Sequence, residues 1–252
     1  MQSLASDSYI RWYEEVDNSK VAEVGGKNAS LGEMIGQLQS QGVRVPIGFA
    51  TTAQLFRDFM QQNALQKPVA DLLLQIHSDN SNLAAVGSQI RGLVAAGNFL
   101  PEQKQAIEQA YIELGQRLGS PEPSVAVRSS ATAEDLPEAS FAGQQESYLN
   151  VTGADDLLNF CRLCFASLYT DRAIVYRQAQ GFAHDQVALS VGVQQMLESE
   201  CAGVMFSLDT ETGCPSMVLI NGAWGLGETI VKGSVTPDRF MVYKPHLAHD
   251  HL

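Results

Sequence analysis

The spacing of apolar residues changes along this chain, and that change constrains the fold most strongly. Up to about residue 168, apolar residues recur every three or four positions, as on one face of a helix. From Val187 onward they alternate with small or polar residues, which is typical of a strand with one buried face. A helix-rich part followed by a strand-rich part predicts an α+β protein with two lobes. A cleft between two lobes is a natural ligand site.

Individual elements follow from the same patterns. The first helix is expected to start at a Ser30 cap, with Glu33 completing a capping box and Gly42 ending the helix. A second helix is expected after a Thr52 cap. Further helices are predicted over residues 83–94, 101–118 and 157–168. Strands are predicted over residues 43–46, 125–128, 148–151, 187–193, 203–206, 217–220 and 240–242.

The charge of the chain limits its partners. The net charge is −12 at pH 7, which disfavours nucleic acid and anionic membranes because both require a positive field. We find neither a signal peptide at the start nor an apolar run of about 20 residues that could cross a bilayer. Four cysteines without a secretion signal predict reduced thiols and a cytoplasmic protein. A phosphate ligand remains compatible, since local cations and backbone N–H groups can hold it.

Common nucleotide signatures are absent from the sequence, but two places carry a cation that could meet a phosphate, and at one of them glycines lie beside it. In Gly25-Gly26-Lys27, paired glycines would let the backbone approach a ligand, and Lys27 could add a positive charge to a phosphate. Spacing alone favours a flexible turn with a surface lysine. Arg128 ends a strand and offers a planar fork that matches phosphate oxygens. Pairing of Arg128 with Glu134 or Asp135 is an equal alternative.

Two further segments could contact a nucleotide. Residues 139–147 form a loop of small residues that includes Gly143 and ends at Ser147, and its N–H groups could fold over phosphates. A hairpin connection is the commoner outcome for such a loop. Gln194 and Met196 lie at the end of an alternating strand, where Met196 could pack on a purine ring. Pattern alone favours a core methionine beside surface glutamines.

Cys161 and Cys164 have the spacing of one half of a metal site, but they fall inside a helical apolar stripe. Buried thiols that act as small apolar groups are therefore favoured over zinc or redox chemistry. No metal ligand is assigned to any residue of this chain.

Taken together, six segments in order resemble the phosphoenolpyruvate-utilising dikinases, from about residue 10 to residue 245. The first reads VGGKNASLGEM and begins at Val24. The six segments cover residues 24–34, 125–135, 139–146, 166–174, 203–207 and 224–228. Six long segments in the same order are far more specific than any one of them.

The resemblance implies an ATP-grasp-like module with ATP held between two lobes. Residues 1–185 would form the N-terminal lobe, and residues 186–252 would begin the strand-rich, adenine-binding lobe. The branch that matches best converts ATP, pyruvate and water into AMP, phosphoenolpyruvate and phosphate. Pyruvate phosphate dikinases and rifampin phosphotransferases are the alternative branches, and a non-catalytic nucleotide-binding module is another possibility.

The resemblance also implies roles for single residues. Lys27 and Arg128 correspond to the catalytic residues that grip the ATP phosphates and stabilise charge during transfer. Gly143 and Ser147 fall in the glycine-rich phosphate loop, where the family often has threonine at the position of Ser147. Gln194 and Met196 correspond to the segment along the adenine.

Several parts of the implied enzyme do not occur before Leu252. These are the acidic residue and glutamine that hold Mg²⁺, the domain with the phosphohistidine, and the domain that binds pyruvate. We therefore expect these 252 residues to be the ATP-binding portion of a longer protein, inactive alone, or a chain whose other domains are encoded separately. The complete protein is expected to be a homodimer.

Overall fold

The computed structural model describes residues 8–132, 135–136, 139–140, 146–184 and 186–248. The chain divides into two compact units, Met1–Met196 and Leu197–Leu252. Each unit has its own antiparallel sheet, and the first also carries seven of the described α-helices. The α+β class expected from the sequence is confirmed. The boundary expected after residue 185 lies before the strand Leu189–Gln195, which pairs with strands of the first unit.

The helices and strands of the described part are numbered here in chain order. The α-helices are α1 Val21–Leu38, α2 Ala53–Gln62, α3 Gln66–Leu73, α4 Leu83–Ala95, α5 Pro101–Leu118, α6 Ala154–Ser167, α7 Asp171–Gln180 and α8 Glu228–Val231. The strands are β1 Ile10–Trp12, β2 Gly48–Thr51, β3 Val125–Ala131, β4 Asp135–Leu136, β5 Ala139–Ser140, β6 Ser147–Val151, β7 Leu189–Gln195, β8 Cys201–Phe206, β9 Met217–Trp224 and β10 Asp238–Tyr243.

Local sequence signals account for several helix ends. The Thr52 hydroxyl accepts a hydrogen bond from the backbone N–H of Leu55 at 3.3 Å, so the predicted cap of α2 is confirmed. Pro101 opens α5, and Gly119 ends it in the left-handed conformation at φ 68°. The predicted helices over residues 83–94, 101–118 and 157–168 all correspond to observed helices.

Two local predictions are wrong. Ser30 lies inside α1 and does not cap it, because the helix restarts directly after a sharp bend at Gly25. Residues 43–46 have no regular structure, and strand β2 begins only at Gly48. At Ser30 a long-range contact overrides the local cap signal, because Gly25 packs directly against Ser130 of β3.

The sheet of the first unit has the order β1-β2-β7-β3-β6, and each neighbouring pair is antiparallel. Helix α1 contacts β3 and β7 on one face. Helices α2 and α6 contact β7 on the opposite face, where α6 also contacts β3. The strands therefore lie between two helical layers.

The two faces of this sheet differ in the size of their side chains. Towards α2 and α6 they present Phe49, Val127 and Val193, which belong to one large apolar core. Towards α1 they present mostly small or polar residues, and the apolar core is small. That small core consists of Tyr13, Val16, Val24, Ala29 and Ala50. Small residues on the α1 face let the helix approach the sheet closely.

The second unit contains a three-stranded antiparallel sheet in the order β10-β9-β8. Among its described residues, Leu219 is the apolar side chain that is buried, at 3% exposure. Asp209 is also buried, and it accepts hydrogen bonds from the Thr212 hydroxyl and from Arg239. In the part of the chain that the structure describes, we find no helix with the length and apolar character needed to cross a membrane.

Candidate functional site

The site begins with a bend in α1. Gly25 has φ 75° and ψ 162°, which interrupts the helix, and the helix resumes at once with Gly26 and Lys27. A Cβ on Gly25 would stand 2.5 Å from the carbonyl oxygen of Ser130 in β3 and would also collide with its hydroxyl. Both the positive φ and the close approach require glycine. The Gly-Gly pair therefore lets the chain turn directly against the sheet.

Lys27 lies between two residues that touch the same serine. Gly25 packs on Ser130, and the backbone N–H of Asn28 lies 3.4 Å from the Ser130 hydroxyl, which accepts from it. The backbone of Lys27 is thus held beside β3, in the first turn of the helix that follows the bend. N–H groups in a first helical turn lack intrahelical partners and favour anions.

The strand register places Arg128 on the same face of the sheet. Arg128 is opposite Gly192 in β7 and opposite Ser147 in β6. Residues opposite each other in adjacent strands point to the same face, with Cβ atoms about 5 Å apart. Ser130, which contacts α1, is two residues from Arg128 and shares its face. Arg128 and Ser147 are therefore neighbours on the face that carries the start of α1.

Gln194 also belongs to this face. It lies opposite Ala126 in β3, two residues from Gly192 along β7, and its side chain is only 8% exposed. Its Nε2 donates to the carbonyl oxygen of Pro46 at 3.2 Å. The predicted surface position of this glutamine is therefore wrong, because the side chain is buried against the segment before β2.

Met196 follows β7 and is half-buried. Its backbone N–H donates to the carbonyl of Ser124 at 3.0 Å, and the N–H of Gln195 donates to Ile47 at 2.9 Å. These two donors are engaged within the sheet. A purine at this strand end would therefore have to use other groups, such as side chains and carbonyl oxygens.

The charges of Arg128 and Lys27 each lower the pKa of a different buried group. Burial raises the pKa of the Tyr13 hydroxyl, and the positive charge of Arg128 partly offsets that rise. Burial likewise raises the pKa of the Cys164 thiol, which the charge of Glu146 raises further and the charge of Lys27 lowers. Arg128 is exposed and Lys27 is half-buried. The charge of Arg128 therefore acts on a tyrosine of the small core on the α1 side, and the charge of Lys27 acts on a thiol of α6.

Some predicted groups fall on residues outside the described part. Gly143 is one of them, as is Glu134, a suggested partner of Arg128. The structure describes the backbone of Asp135 but not its side chain.

Two cavities are lined by other residues. An apolar cavity of about 130 Å³ includes Phe56, Tyr169 and His184. An open cleft of about 860 Å³ next to β6 includes Arg91, Tyr148 and Arg172. Within the described residues, no group of three or more His, Cys, Asp or Glu side chains could hold a metal ion.

Cys161 and Cys164 are both fully buried in the large core. Burial raises the pKa of the Cys161 thiol to about 12. They are therefore protonated, inert side chains near neutral pH, which agrees with their interpretation as apolar packing groups.

Sequence reasoning missed the polar groups that fasten α1 to the sheet. Asn28, Ser130 and Ser190 are buried, at 2%, 1% and 0% exposure. Asn28 lies inside the first of the six segments, next to Lys27, and Ser190 and Gly192 alternate with valines in β7. That run of small residues on one face was a signal that something packs closely against it.

Comparison with known proteins adds a family and several relatives. The family described as the pyruvate phosphate dikinase AMP/ATP-binding domain matches residues 21–250. The chain is 53% identical to a phosphoenolpyruvate synthase of Synechocystis over 94% of its own length and 30% of the relative's. Phosphoenolpyruvate synthases of Neisseria meningitidis and Escherichia coli are 51% and 50% identical, over 96% and 98% of this chain. The chain spans about 30% of the length of these relatives.

Proposed function

Because the chain belongs to the family of pyruvate phosphate dikinase AMP/ATP-binding domains, we propose that it binds ATP on the sheet face that carries α1. The observation that supports this site is the convergence of distant segments. Three segments lie on one face of the sheet. They are the start of α1, the opposed residues Arg128 of β3 and Ser147 of β6, and the end of β7. Four of the residues suggested by family resemblance lie on or beside that face: Lys27, Arg128, Ser147 and Gln194.

In this proposal the triphosphate lies near the bend of α1. Lys27 supplies a point charge, and Arg128 supplies a fork that can bind two phosphate oxygens at once. The Ser147 hydroxyl, next to Arg128, and Gly143 of the phosphate loop complete the phosphate end. Since the whole chain carries a net charge of −12, these local cations must create the positive field that holds a polyanion.

The adenine end lies further along β7. Gln194 is two residues from Gly192, which corresponds to about 7 Å along a strand. Met196, half-buried after the strand, would pack on the purine ring. The site would thus run from the bend of α1 towards the end of β7.

The activity of the longer protein is inferred from the relatives. We propose that this chain is the ATP-binding portion of an enzyme that converts ATP, pyruvate and water into AMP, phosphoenolpyruvate and phosphate. Lys27 and Arg128 would stabilise the charge that develops on the transferred phosphoryl group. The phosphohistidine and pyruvate sites would belong to other domains. The homodimer and the cytoplasmic location also belong to this proposal.

ATP is expected to bind as its magnesium complex. Mg²⁺ bridges phosphate oxygens and neutralises their charge in phosphoryl transfer. We assign no ligand for it among the residues of this chain. An ATP-grasp-like arrangement of two lobes is proposed on family resemblance alone.

Calorimetry with ATP and Mg²⁺ tests the proposal. Lys27→Ala and Arg128→Ala should each weaken ATP binding about tenfold or more, since each removes one charge-assisted contact. Lys67→Ala and Arg57→Ala are matched controls. Lys67 is exposed at the surface and paired with Asp71, and Arg57 lies on α2 at the opposite side of the sheet. If the site variants and the controls bind ATP equally well, the proposed site is wrong.

A further inference from the structure

Asn28 is a buried amide placed next to the lysine of the proposed phosphate site. Its side chain belongs to a residue only 2% exposed, in the first turn of the helix that follows the Gly25 bend. A buried amide is costly unless its donors and acceptor are satisfied. Its hydrogen bonds therefore show which parts of the molecule it holds.

The side chain of Asn28 makes three hydrogen bonds, and its backbone N–H makes one to the sheet. Nδ2 donates to the carbonyl oxygen of Val24 at 2.9 Å and to Oγ of Ser190 at 2.9 Å. Oδ1 accepts from the Tyr13 hydroxyl at 3.4 Å. The backbone N–H donates to Oγ of Ser130 at 3.4 Å.

These bonds span the bend on both sides. Val24 precedes Gly25, whereas Asn28 follows Lys27, so the Nδ2–Val24 bond closes the bend. The bonds to Ser130 and Ser190 fasten the same turn to β3 and β7. Ser190 in turn donates to the carbonyl oxygen of Thr51 in β2, so the side-chain amide is linked to β7 and β2, while the backbone N–H of Asn28 links the same turn to β3.

The Asn28 amide packs so closely on β7 that residue 192 must lack a side chain. A Cβ on Gly192 would collide with Oδ1 of Asn28 and would stand 2.6 Å from the Tyr13 hydroxyl oxygen. Gly192 lies opposite Arg128 in the strand register. The Asn28 amide therefore occupies the space above Gly192, next to the position of Arg128 in the adjacent strand.

We propose that Asn28 is a positioning residue that holds Lys27 against the Arg128 face before the nucleotide arrives. This inference rests on the function proposed above. A backbone fixed in advance lowers the entropic cost of binding, because the lysine need not be ordered by the phosphate. Removal of the amide should leave Lys27 charged but poorly placed, so the loss should be specific to the phosphate end of the ligand.

A purely structural role predicts a different pattern. General loosening of the sheet would weaken the binding of adenosine and ATP alike, and its effect would add to that of Lys27→Ala. A positioning role predicts loss for ATP alone, with no further loss once Lys27 is absent. A double-mutant cycle separates the two.

The experiment measures ATP and adenosine affinities by calorimetry for the unmodified chain, Lys27→Ala, Asn28→Ala and the double variant. Asn28→Ala should weaken ATP binding about tenfold and change adenosine binding by less than about twofold. The double variant should match Lys27→Ala within about twofold. Ser190→Ala, which removes one partner of the amide, should act in the same direction with a smaller effect.

Gln103→Ala is the matched control for loss of a buried amide. Gln103 is fully buried and hydrogen-bonded to Leu55 and Leu100, in the helical layer on the opposite side of the sheet. The Gln103→Ala variant should have a lower melting temperature, and the ratio of its ATP and adenosine affinities should be unchanged.

Two results would overturn the inference. If Lys27→Ala weakens ATP binding but Asn28→Ala affects both ligands equally, or adds to Lys27→Ala in the cycle, the positioning role fails and the phosphate role of Lys27 stands. If Lys27→Ala leaves ATP binding unchanged, both proposals fail. Should Asn28→Ala not fold, the same cycle with Ser190→Ala decides between these outcomes.

Discussion

Gly25 in helix α1 lies directly against Ser130 in strand β3, although the two residues are 105 positions apart in the sequence. A Cβ on Gly25 would stand 2.5 Å from the Ser130 carbonyl oxygen. The glycine also has φ 75°, a conformation that other L-residues adopt at a cost. This contact fixes where the helix restarts, and with it the position of Lys27.

Gly25→Ala should therefore destabilise the first unit. The steric overlap and the positive φ together predict a loss of about 3 kcal/mol in the free energy of unfolding. Chemical denaturation followed by circular dichroism would measure it. Gly119→Ala is the control, since Gly119 has φ 68° but open space around its Cβ position. That variant should lose only about 1 kcal/mol, and equal losses in both variants would contradict the steric argument.

The two consecutive glutamines at the end of β7 offer a test of the adenine end. Gln194 faces α1, whereas Gln195 pairs with Val125 and faces the opposite layer. Gln194→Ala should weaken ATP and adenosine binding by the same factor, about fivefold, because it removes a contact to the base. Gln195→Ala should change neither affinity. A loss confined to ATP would place Gln194 at the phosphates instead.

Ser147 tests the phosphate end from β6. Its side chain is exposed and lies opposite Arg128. Ser147→Ala removes a hydroxyl donor and should weaken ATP binding about threefold to tenfold, whereas Ser147→Thr keeps the hydroxyl and should retain the affinity. Calorimetry with ATP would measure these affinities for the unmodified chain, Ser147→Ala and Ser147→Thr. Equal weakening by alanine and threonine would mean that the hydroxyl makes no contact with the ligand.

The cysteines differ in reactivity because they differ in burial. Cys201 is exposed, whereas Cys161 and Cys164 are fully buried and have raised pKa values. A thiol-reactive chromophore at pH 8 should label Cys201 in the folded protein and reach Cys161 and Cys164 only after denaturation. Mass spectrometry would locate the labels. Rapid labelling of Cys161 in the folded chain would contradict its burial and would favour a redox role for Cys161 and Cys164.

Burial of Cys161 also predicts a dependence of stability on pH. Desolvation raises its pKa from 9.0 to about 12, so the folded state keeps a proton that the unfolded state releases. This contribution is complete below pH 9 and is lost as pH rises from 9 towards 12, by up to about 1.4 kcal/mol per pH unit. Cys161→Ala should show a shallower decline than the unmodified chain in urea denaturation at pH 9 to 10.5. If the free energy of unfolding falls equally steeply with pH in both chains, the raised pKa of Cys161 is contradicted.

The sequence alone determined the elements whose signals are local. The apolar period of α4 and α5, the Thr52 cap and the alternation in β7 depend on neighbouring residues, and these predictions agree with the structure. The α+β class followed from the same periods. Resemblance over six segments pointed to the family independently of any coordinates.

Tertiary structure decided what local patterns could not. Ser30 has the chemistry of a helix cap, but the contact of Gly25 with Ser130 moved the helix start upstream. Pairing of β7 with β2 and β3 places this strand in the unit that ends at Met196, a relationship that the change of period near residue 187 does not reveal. Register alone placed Arg128 beside Ser147 and on the same face as Gln194, because strand pairing joins residues that are distant in the chain.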